Sequence, residues 1–311
     1  MRTFDSASSD IVEEVLADFF GEKVRVRRIS AYLGRNETFE VCGRNAVVKI
    51  FHNDAELKCD REFSAYSFLS DRGLPVARCL GRGRISSGDW WLVLERLPGV
   101  GWESASPELT QQQNAAVYEN LGCLLATFHE VPTEGQHGSL TRGIAPQNYI
   151  ENVARALSRE LPNKPLFQRG AELLLGHKEL LEGQRYPSVF VHREMTPRNI
   201  LLDLVPGETP RISGVFDFER AQFGDPYEDL ARVAFYDVSA MPYVMKGYRG
   251  RRSLPEYGAI RMRLHLLGLI FDIAPWAHAE DPGYFEQAVH ALERLVSGKG
   301  ATELDWDEPL R

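Results

Sequence analysis

No stretch constrains this chain more than Val189 to Asp203. Val189-Phe190-Val191 and Ile200-Leu201-Leu202 are short apolar runs that read as strands, and they bracket the polar loop His192-Arg193-Glu194-Met195-Thr196-Pro197-Arg198-Asn199. A loop held between two strands sets reactive side chains on rigid supports. Further along, Ser213-Gly214-Val215-Phe216 reads as a strand able to pair with Ile200-Leu202, and it ends in Asp217-Phe218-Glu219. That pairing brings the Glu194 carboxylate, the Asn199 carboxamide and the Asp217 carboxylate toward one small volume.

Such a set suits phosphoryl transfer, where the protein mainly positions an acceptor hydroxyl and holds Mg²⁺ against phosphate oxygens. Magnesium prefers hard oxygen ligands and keeps several waters, so one carboxylate and one carboxamide suffice from the protein. Asp217 and Asn199 fit as the metal pair, and Glu194 fits as the carboxylate that takes or orients the acceptor proton.

The run His192-x-Glu194-x-x-x-x-Asn199, then Asp217, then Gly224-Asp225-Pro226-Tyr227-Glu228-Asp229-Leu230-Ala231, resembles the aminoglycoside phosphotransferase family of small-molecule kinases. That family's loop normally reads His-Gly-Asp-Leu-x-x-x-Asn. Here Arg193 stands for the glycine and Glu194 for the aspartate. The extra methylene moves the carboxylate by about one carbon-carbon bond, and about 1 Å of misplacement can cost about 100-fold in rate, so a compensating shift of the loop is expected.

The resemblance implies an α+β, two-lobed, protein-kinase-like fold. Residues 1–97 would form an N-lobe with an antiparallel sheet and a helix, and residues 98–311 a mostly helical C-lobe carrying the catalytic loop and acceptor site. Val24 to Ser30, the segment entering Val41 and Ala46-Val47-Val48-Lys49-Ile50-Phe51 read as strands, and Lys49 is a cation among apolar residues that needs an anionic partner. A lone strand lysine otherwise reads as an edge charge that blocks aggregation. The resemblance instead gives Lys49 to the nucleotide phosphates and Glu62, in its Arg-Glu-x-x-x-Tyr context, to Lys49, with Glu56 as the competing acid. It implies that Arg35, Asn36 and Thr38 lie over the phosphates. It also implies that the carbonyl of Glu95 and the amide of Leu97 meet adenine before the Pro98-Gly99 hinge, with Leu94 behind the ring. The cofactors implied are ATP, with GTP as the other donor, and Mg²⁺.

Asp10 to Phe20 carries an apolar helical face, Gly81 to Gly88 reads as a polar turn, and Trp90 to Leu97 as a strand. Helices are expected over Asn114 to Thr127, Tyr149 to Leu161, Gly170 to Leu181, Ala259 to Ile273 and Tyr284 to Val296. His192 is expected to brace the loop through backbone contacts, His129 to be a core or capping histidine, and Asp225 and Asp229 to cap turns and helices. Glu219 shares a strand face with Asp217 if the strand continues.

A formal net charge of −8 in 311 residues gives no support to a nucleic-acid partner. Cys42, Cys59, Cys79 and Cys123 lack metal-site spacing. An acidic start without an apolar core and the lack of a membrane-length apolar run lead to the expectation of a cytoplasmic monomer or homodimer, without a membrane partner. The acceptor implied is a hydroxyl of an aminoglycoside or other antibiotic, with a sugar, nucleoside or amino alcohol of primary metabolism as the alternative. A ligand-binding module in which Glu194 blocks transfer is the rival from another class. Asp272, Glu280 and Asp281 would draw an amine-bearing acceptor, and Phe271, Trp276, Tyr284 and Phe285 a less charged one.

Overall fold

Alternating burial builds the first part of the chain. In the computed structural model, which describes residues 7–31, 36–52, 54–85, 88–141, 149–181, 188–255 and 258–297, helix α1 (Ala7–Phe20) precedes strands β1 (Val26–Ala31), β2 (Asn36–Val41) and β3 (Ala46–Phe51). Helix α2 (Ala55–Leu69) follows, then β4 (Cys79–Arg84) and β5 (Trp90–Glu95). The strands form one antiparallel sheet in the order β1-β2-β3-β5-β4.

The register sorts the side chains. Thr38 lies opposite Lys49 and Lys49 opposite Leu92, while Phe39 lies opposite Val48 and Val48 opposite Val93. Opposed residues project to the same face. Phe39, Val48 and Val93 join Val12 and Leu16 in the core under α1. Leu92 and Leu94 on the other face join Cys59 and Tyr66 of α2 and the core of the helical half. Lys49 and Thr38 therefore point into the junction between the two halves.

Gly81 and Gly83, expected in a turn, belong to β4. A Cβ at these positions would come within 2.4 Å of the Phe19 ring and 2.5 Å of the Trp91 ring, so the glycines admit packing aromatics rather than a reversal. Gly34 and Arg35 lie outside the described residues, as does Tyr186-Pro187.

At the hinge Gly99 has φ +114°, and a Cβ there would meet Ser213 Oγ at 2.4 Å and the Leu202 carbonyl at 2.6 Å. Ser213 Oγ donates to the Pro98 carbonyl at 2.8 Å. The hinge is thereby pinned to the two strands that follow the loop from His192 to Asn199. Beyond it run β6 (Val100–Gly101), α3 (Trp102–Ala105), α4 (Gln111–His129), β7 (Gly138–Ser139), α5 (Tyr149–Leu157), α6 (Lys164–Gly176) and β8 (Val189–Val191). Then come β9 (Ile200–Asp203), β10 (Arg211–Val215), β11 (Gln222–Gly224), α7 (Pro226–Tyr236), α8 (Met241–Arg249), α9 (Gly258–Glu280) and α10 (Pro282–Ser297). The architecture is α+β, a sheet-built lobe followed by a mostly helical one.

Reciprocal capping starts α4, where Thr110 Oγ1 accepts from the Gln113 amide and the Gln113 side chain accepts from the Thr110 amide. The same box, Asp225 with Glu228, starts α7 behind Pro226. Helices α4 and α8 approach so closely that a Cβ on Gly122 or Gly247 would lie 1.9 Å from a carbonyl of the facing helix. The helix expected over Gly170 to Leu181 is displaced toward the N-terminus as α6, which begins beside Pro165 and stops at Gly176. In the small sheets β9 lies between β10 and β6, and β11 between β7 and β8. The loop from His192 to Asn199 spans from one small sheet to the other. Among the described residues no helix is long and apolar enough to cross a membrane.

Candidate active site

Helix α7 is the template on which the loop is folded. It is mostly apolar, but Arg232 lies four residues past Glu228 and three past Asp229, spacings that put it beside both on the side facing the loop. Asp229 is fully buried and accepts the amides of His192 at 3.0 Å and Arg193 at 2.5 Å, together with His129 Nε2 at 3.1 Å. Burial alone would raise the Asp229 carboxyl, but the His129 hydrogen bond and charge outweigh it and hold the group below the usual carboxylate range. Glu228 pairs with Arg193 Nε at 2.9 Å, and Arg232 Nη2 donates to Glu194 Oε2 at 2.6 Å.

His192 closes the loop from inside. Its Nδ1 accepts the Glu194 amide at 3.1 Å, so Nε2 carries the proton donated to the Phe216 carbonyl at 3.1 Å. Burial holds this imidazole below the ordinary histidine value, against the pull of Asp229. Arg193 takes φ 69°, a left-handed conformation that a glycine adopts without strain. The arginine found where the resembling family carries glycine is held there by Glu228.

The second half of the site lies on the sheet. Lys49 Nζ is 2.6 Å from Glu62 Oε2 and 2.6 Å from Asp217 Oδ1, so one ammonium bridges α2 and the end of β10. Glu56, the competing acid, is exposed. Burial works to lower Lys49, but Asp217, Glu62 and Glu219 outweigh it and hold the ammonium above its usual range. Glu62 is 1% exposed, and its burial pushes the carboxyl up to about 7 although Lys49 opposes the shift.

Asp217 itself sits at φ 68°. The strand ends at Val215 rather than continuing, and the left-handed turn at Asp217 brings Glu219 round. One oxygen from each of Glu62, Asp217 and Glu219 lies within 4.8 Å of the others. Asn36 Nδ2 donates to Glu219 Oε2 at 2.8 Å, tying β2 to this segment. Asn199 Nδ2 donates to the Glu194 carbonyl at 2.9 Å, which leaves its amide oxygen as the end suited to a cation. Asn199, Asp217 and Glu219 are hard oxygen donors of the kind Mg²⁺ takes.

Thr38 lies beside Lys49 on the junction face. Glu95 ends β5, and its amide donates to the Arg78 carbonyl at 2.9 Å. The Leu97 side chain covers Gly214, at 2.9 Å from the position a Cβ would take. Lys49, Glu62, Asn36, Thr38, Asp217 and, through Asn199, Glu194 are thus brought to one junction, with Glu95 and Leu97 at its hinge.

Residue-by-residue reading did not anticipate Arg220 and Arg232. Both face Glu194, Arg220 Nε at 3.5 Å and Arg232 at 2.6 Å, and Arg220 also pairs with Asp272. The discoverable signal was one arginine with two acids on an otherwise apolar helix. Asp272 is bound by Arg155 as well, at 3.1 Å, so it is not an uncommitted negative charge. Phe271 and Phe285 are core residues. Tyr284 and Trp276 are half-buried with ring centroids 5.9 Å apart, and Arg198 and Arg232 both lie over the Tyr284 ring, at 5.9 Å and 5.8 Å.

The family model described as phosphotransferase enzyme family matches residues 27–262. An aminoglycoside 3'-phosphotransferase of Streptomyces ribosidificus is 29% identical over 205 residues, covering 64% of this chain and 73% of the relative. Viomycin phosphotransferase of Streptomyces vinaceus is 32% identical over 203 residues, covering 61% and 67%. A thermostable mutant of the aminoglycoside phosphotransferase APH(4)-Ia, solved with AMP-PNP and hygromycin B, superposes with a TM-score of 0.71 at 20% identity, over 93% of this chain and 99% of that one. The GDP complex of wild-type aminoglycoside 2'-phosphotransferase-IIIa gives 0.68 at 17% identity, over 94% and 99%. At such identities the structures share the fold.

Proposed function

Because the chain belongs to the phosphotransferase enzyme family, we propose that it moves the γ-phosphate of a Mg²⁺-bound nucleotide, ATP or GTP, to a hydroxyl of a small molecule. The observation that carries this reading is the bridge from Lys49 to Glu62 and Asp217, which faces Asn199 and Glu194 across the junction of the lobes. Solved structures that share the fold hold AMP-PNP or GDP, which supports a nucleotide there.

In this reading Lys49, steadied by Glu62, donates to phosphate oxygens, and Asn36 and Thr38 lie on the same side of the junction. The Glu95 carbonyl and the Leu97 amide meet the base. Asn199 and Asp217 would hold Mg²⁺, which neutralises charge on the phosphate oxygens when bound. Glu194 takes the proton of the acceptor hydroxyl as that oxygen bonds to the γ-phosphorus and the bond to the leaving diphosphate oxygen breaks. Arg232 and Arg220 fix the direction of the Glu194 carboxylate and so supply the adjustment that its longer side chain requires. Residues 1–97 act as the nucleotide lobe and 98–311 as the acceptor lobe.

Two relatives are named for antibiotics, so hydroxyl-bearing antibiotics belong in the first acceptor panel beside sugars, nucleosides and amino alcohols. The test is calorimetric titration of Mg²⁺ with AMP-PNP and with a GTP analogue, followed by nucleoside diphosphate release across that panel. Wild-type protein is expected to bind a nucleotide that Lys49→Ala and Asp217→Asn bind at least about tenfold more weakly, a loss of about 1.4 kcal/mol. Equal binding by all three proteins would refute the assignment.

A further inference from the structure

Three buried side chains from three helices stand in series behind the active loop. Tyr248, on α8, is fully buried, and its hydroxyl lies 2.8 Å from His129 Nδ1. His129, the last residue of α4, is 1% exposed and sets its Nε2 3.1 Å from Asp229 Oδ2. Asp229 in turn accepts the amides of His192 and Arg193, the two residues that precede Glu194. The acid at the centre sets the direction of each bond. Asp229 is held below the usual carboxylate range, so it is ionised and only accepts, and His129 Nε2 carries the proton given to it. In the neutral ring Nδ1 is then the acceptor, and the Tyr248 hydroxyl donates to it. Burial holds the phenol above its ordinary value, so the hydroxyl keeps its proton. Backbone packing fixes where that hydroxyl stands. The neighbouring Gly247 lies so close to α4 that a Cβ would come within 1.9 Å of the Glu119 carbonyl, and Arg252 donates to the His129 carbonyl at 2.5 Å. A phenylalanine ring would fill this core as well, so what the hydroxyl adds is the tautomer of His129.

Resting on the phosphotransfer reading, we propose that Tyr248 is a positioning residue for the transfer step: through His129 its hydroxyl holds the Asp229 carboxylate on the loop amides, and so sets where Glu194 stands. The opposite tautomer of His129 would turn a ring lone pair toward Asp229 and push the carboxylate off the amides of His192 and Arg193. With Nδ1 taken by Tyr248 that tautomer is closed. Glu194 follows these amides directly in the chain, and its own amide donates to His192 Nδ1 at 3.1 Å, so a shift of the loop backbone moves the base. About 1 Å of such misplacement costs about 100-fold in rate.

The test uses the full chain, as wild type, Tyr248→Phe, His129→Leu and the double variant. Hydrogen exchange of single amides, followed by NMR, reads the loop directly. In Tyr248→Phe the amides of His192 and Arg193 should lose at least about tenfold of their protection, while those in the middle of α4 and α8 stay within about twofold of wild type. Hydrolysis of Mg²⁺-ATP, with water as the acceptor, reads the consequence: kcat should fall at least about tenfold, with KM for ATP within about twofold. Added to His129→Leu, Tyr248→Phe should change either readout by less than about twofold, because the hydroxyl acts through the imidazole. Tyr248→Phe decides alone if His129→Leu does not fold. Loop amides as protected in Tyr248→Phe as in wild type, exchange that rises equally along α4 and α8, effects that multiply in the double variant, or wild-type hydrolysis no faster than that of Glu194→Ala would each overturn the inference. Calorimetric titration of Mg²⁺ with AMP-PNP, made first on wild type, judges the phosphotransfer reading separately. Nucleotide bound with the loop amides unmoved by Tyr248→Phe removes the inference and leaves that reading standing.

Discussion

Replacing Lys49 with Met isolates the physics of the junction, because Lys49 is the cation that lets Glu62 lie buried. Glu62 is 1% exposed, whereas the Asp217 side chain is 33% exposed and can return to water when its partner goes. Breaking a buried ion pair by removing one member costs about 3–5 kcal/mol. At about 2–4 °C per kcal/mol for a chain of this order, the melting midpoint should fall by about 10 °C. The loss has a pH signature. Glu62 ionises near 4.5 when unfolded and about 7 when folded, so the folded form binds the extra proton between those values. Stability therefore falls as pH rises through that window, and without Lys49 the folded value moves higher still. The difference between wild type and Lys49→Met should be smallest at about pH 5 and grow toward about pH 8. The assay is thermal unfolding followed by circular dichroism at several pH values, with the double variant Lys49→Met, Glu62→Leu as the third sample. Removing both charges should recover most of the lost stability, since apolar replacement of a buried pair is close to neutral. A single variant as stable as wild type, a loss independent of pH, or a double variant worse than the single would refute the argument.

Glu194→Ala should lower kcat by about 10²-fold to 10⁴-fold with nucleotide affinity unchanged, and Glu194→Asp should retain part of the rate; full turnover by the alanine variant in steady-state kinetics would remove Glu194 as the base. His192 is held neutral by burial with a value below 6.5, so its share of stability is complete above that pH and declines as pH falls toward the folded value. In melting curves across that range, His192→Gln should lose less stability on acidification than wild type does. Gly122→Ala should destabilise by about 1–3 kcal/mol or more, because its Cβ would stand 1.9 Å from the Val244 carbonyl and α4 would have to part from α8. Denaturant unfolding measures it, and an unchanged midpoint would refute that packing.

What could be read from the chain alone was whatever a short stretch specifies by itself. Lys49 stands out because an ammonium on an apolar strand demands a partner, and the runs read as strands early and as helices later agree with the α+β division that the resemblance implies. The elements misread were those whose glycines or ends depend on distant residues. Gly81 and Gly83 look like turn formers until Phe19 and Trp91 are seen to lie on them, and α6 lies six residues before its expected start because Asn163 and Pro165 open it. Helices α7 and α8 were not resolved as elements, and with α7 went the arginine that matters most. Arg232 is four residues past Glu228 and three past Asp229, so all three lie on the helix side that holds the loop. The same face that fixes the loop backbone through Asp229 therefore aims a guanidinium at Glu194. This joint placement explains how the loop carries Arg193 and Glu194 where the loop of the resembling family normally reads glycine and aspartate. Glu228 holds Arg193 in a left-handed turn, and Arg232 holds the longer Glu194 carboxylate in place.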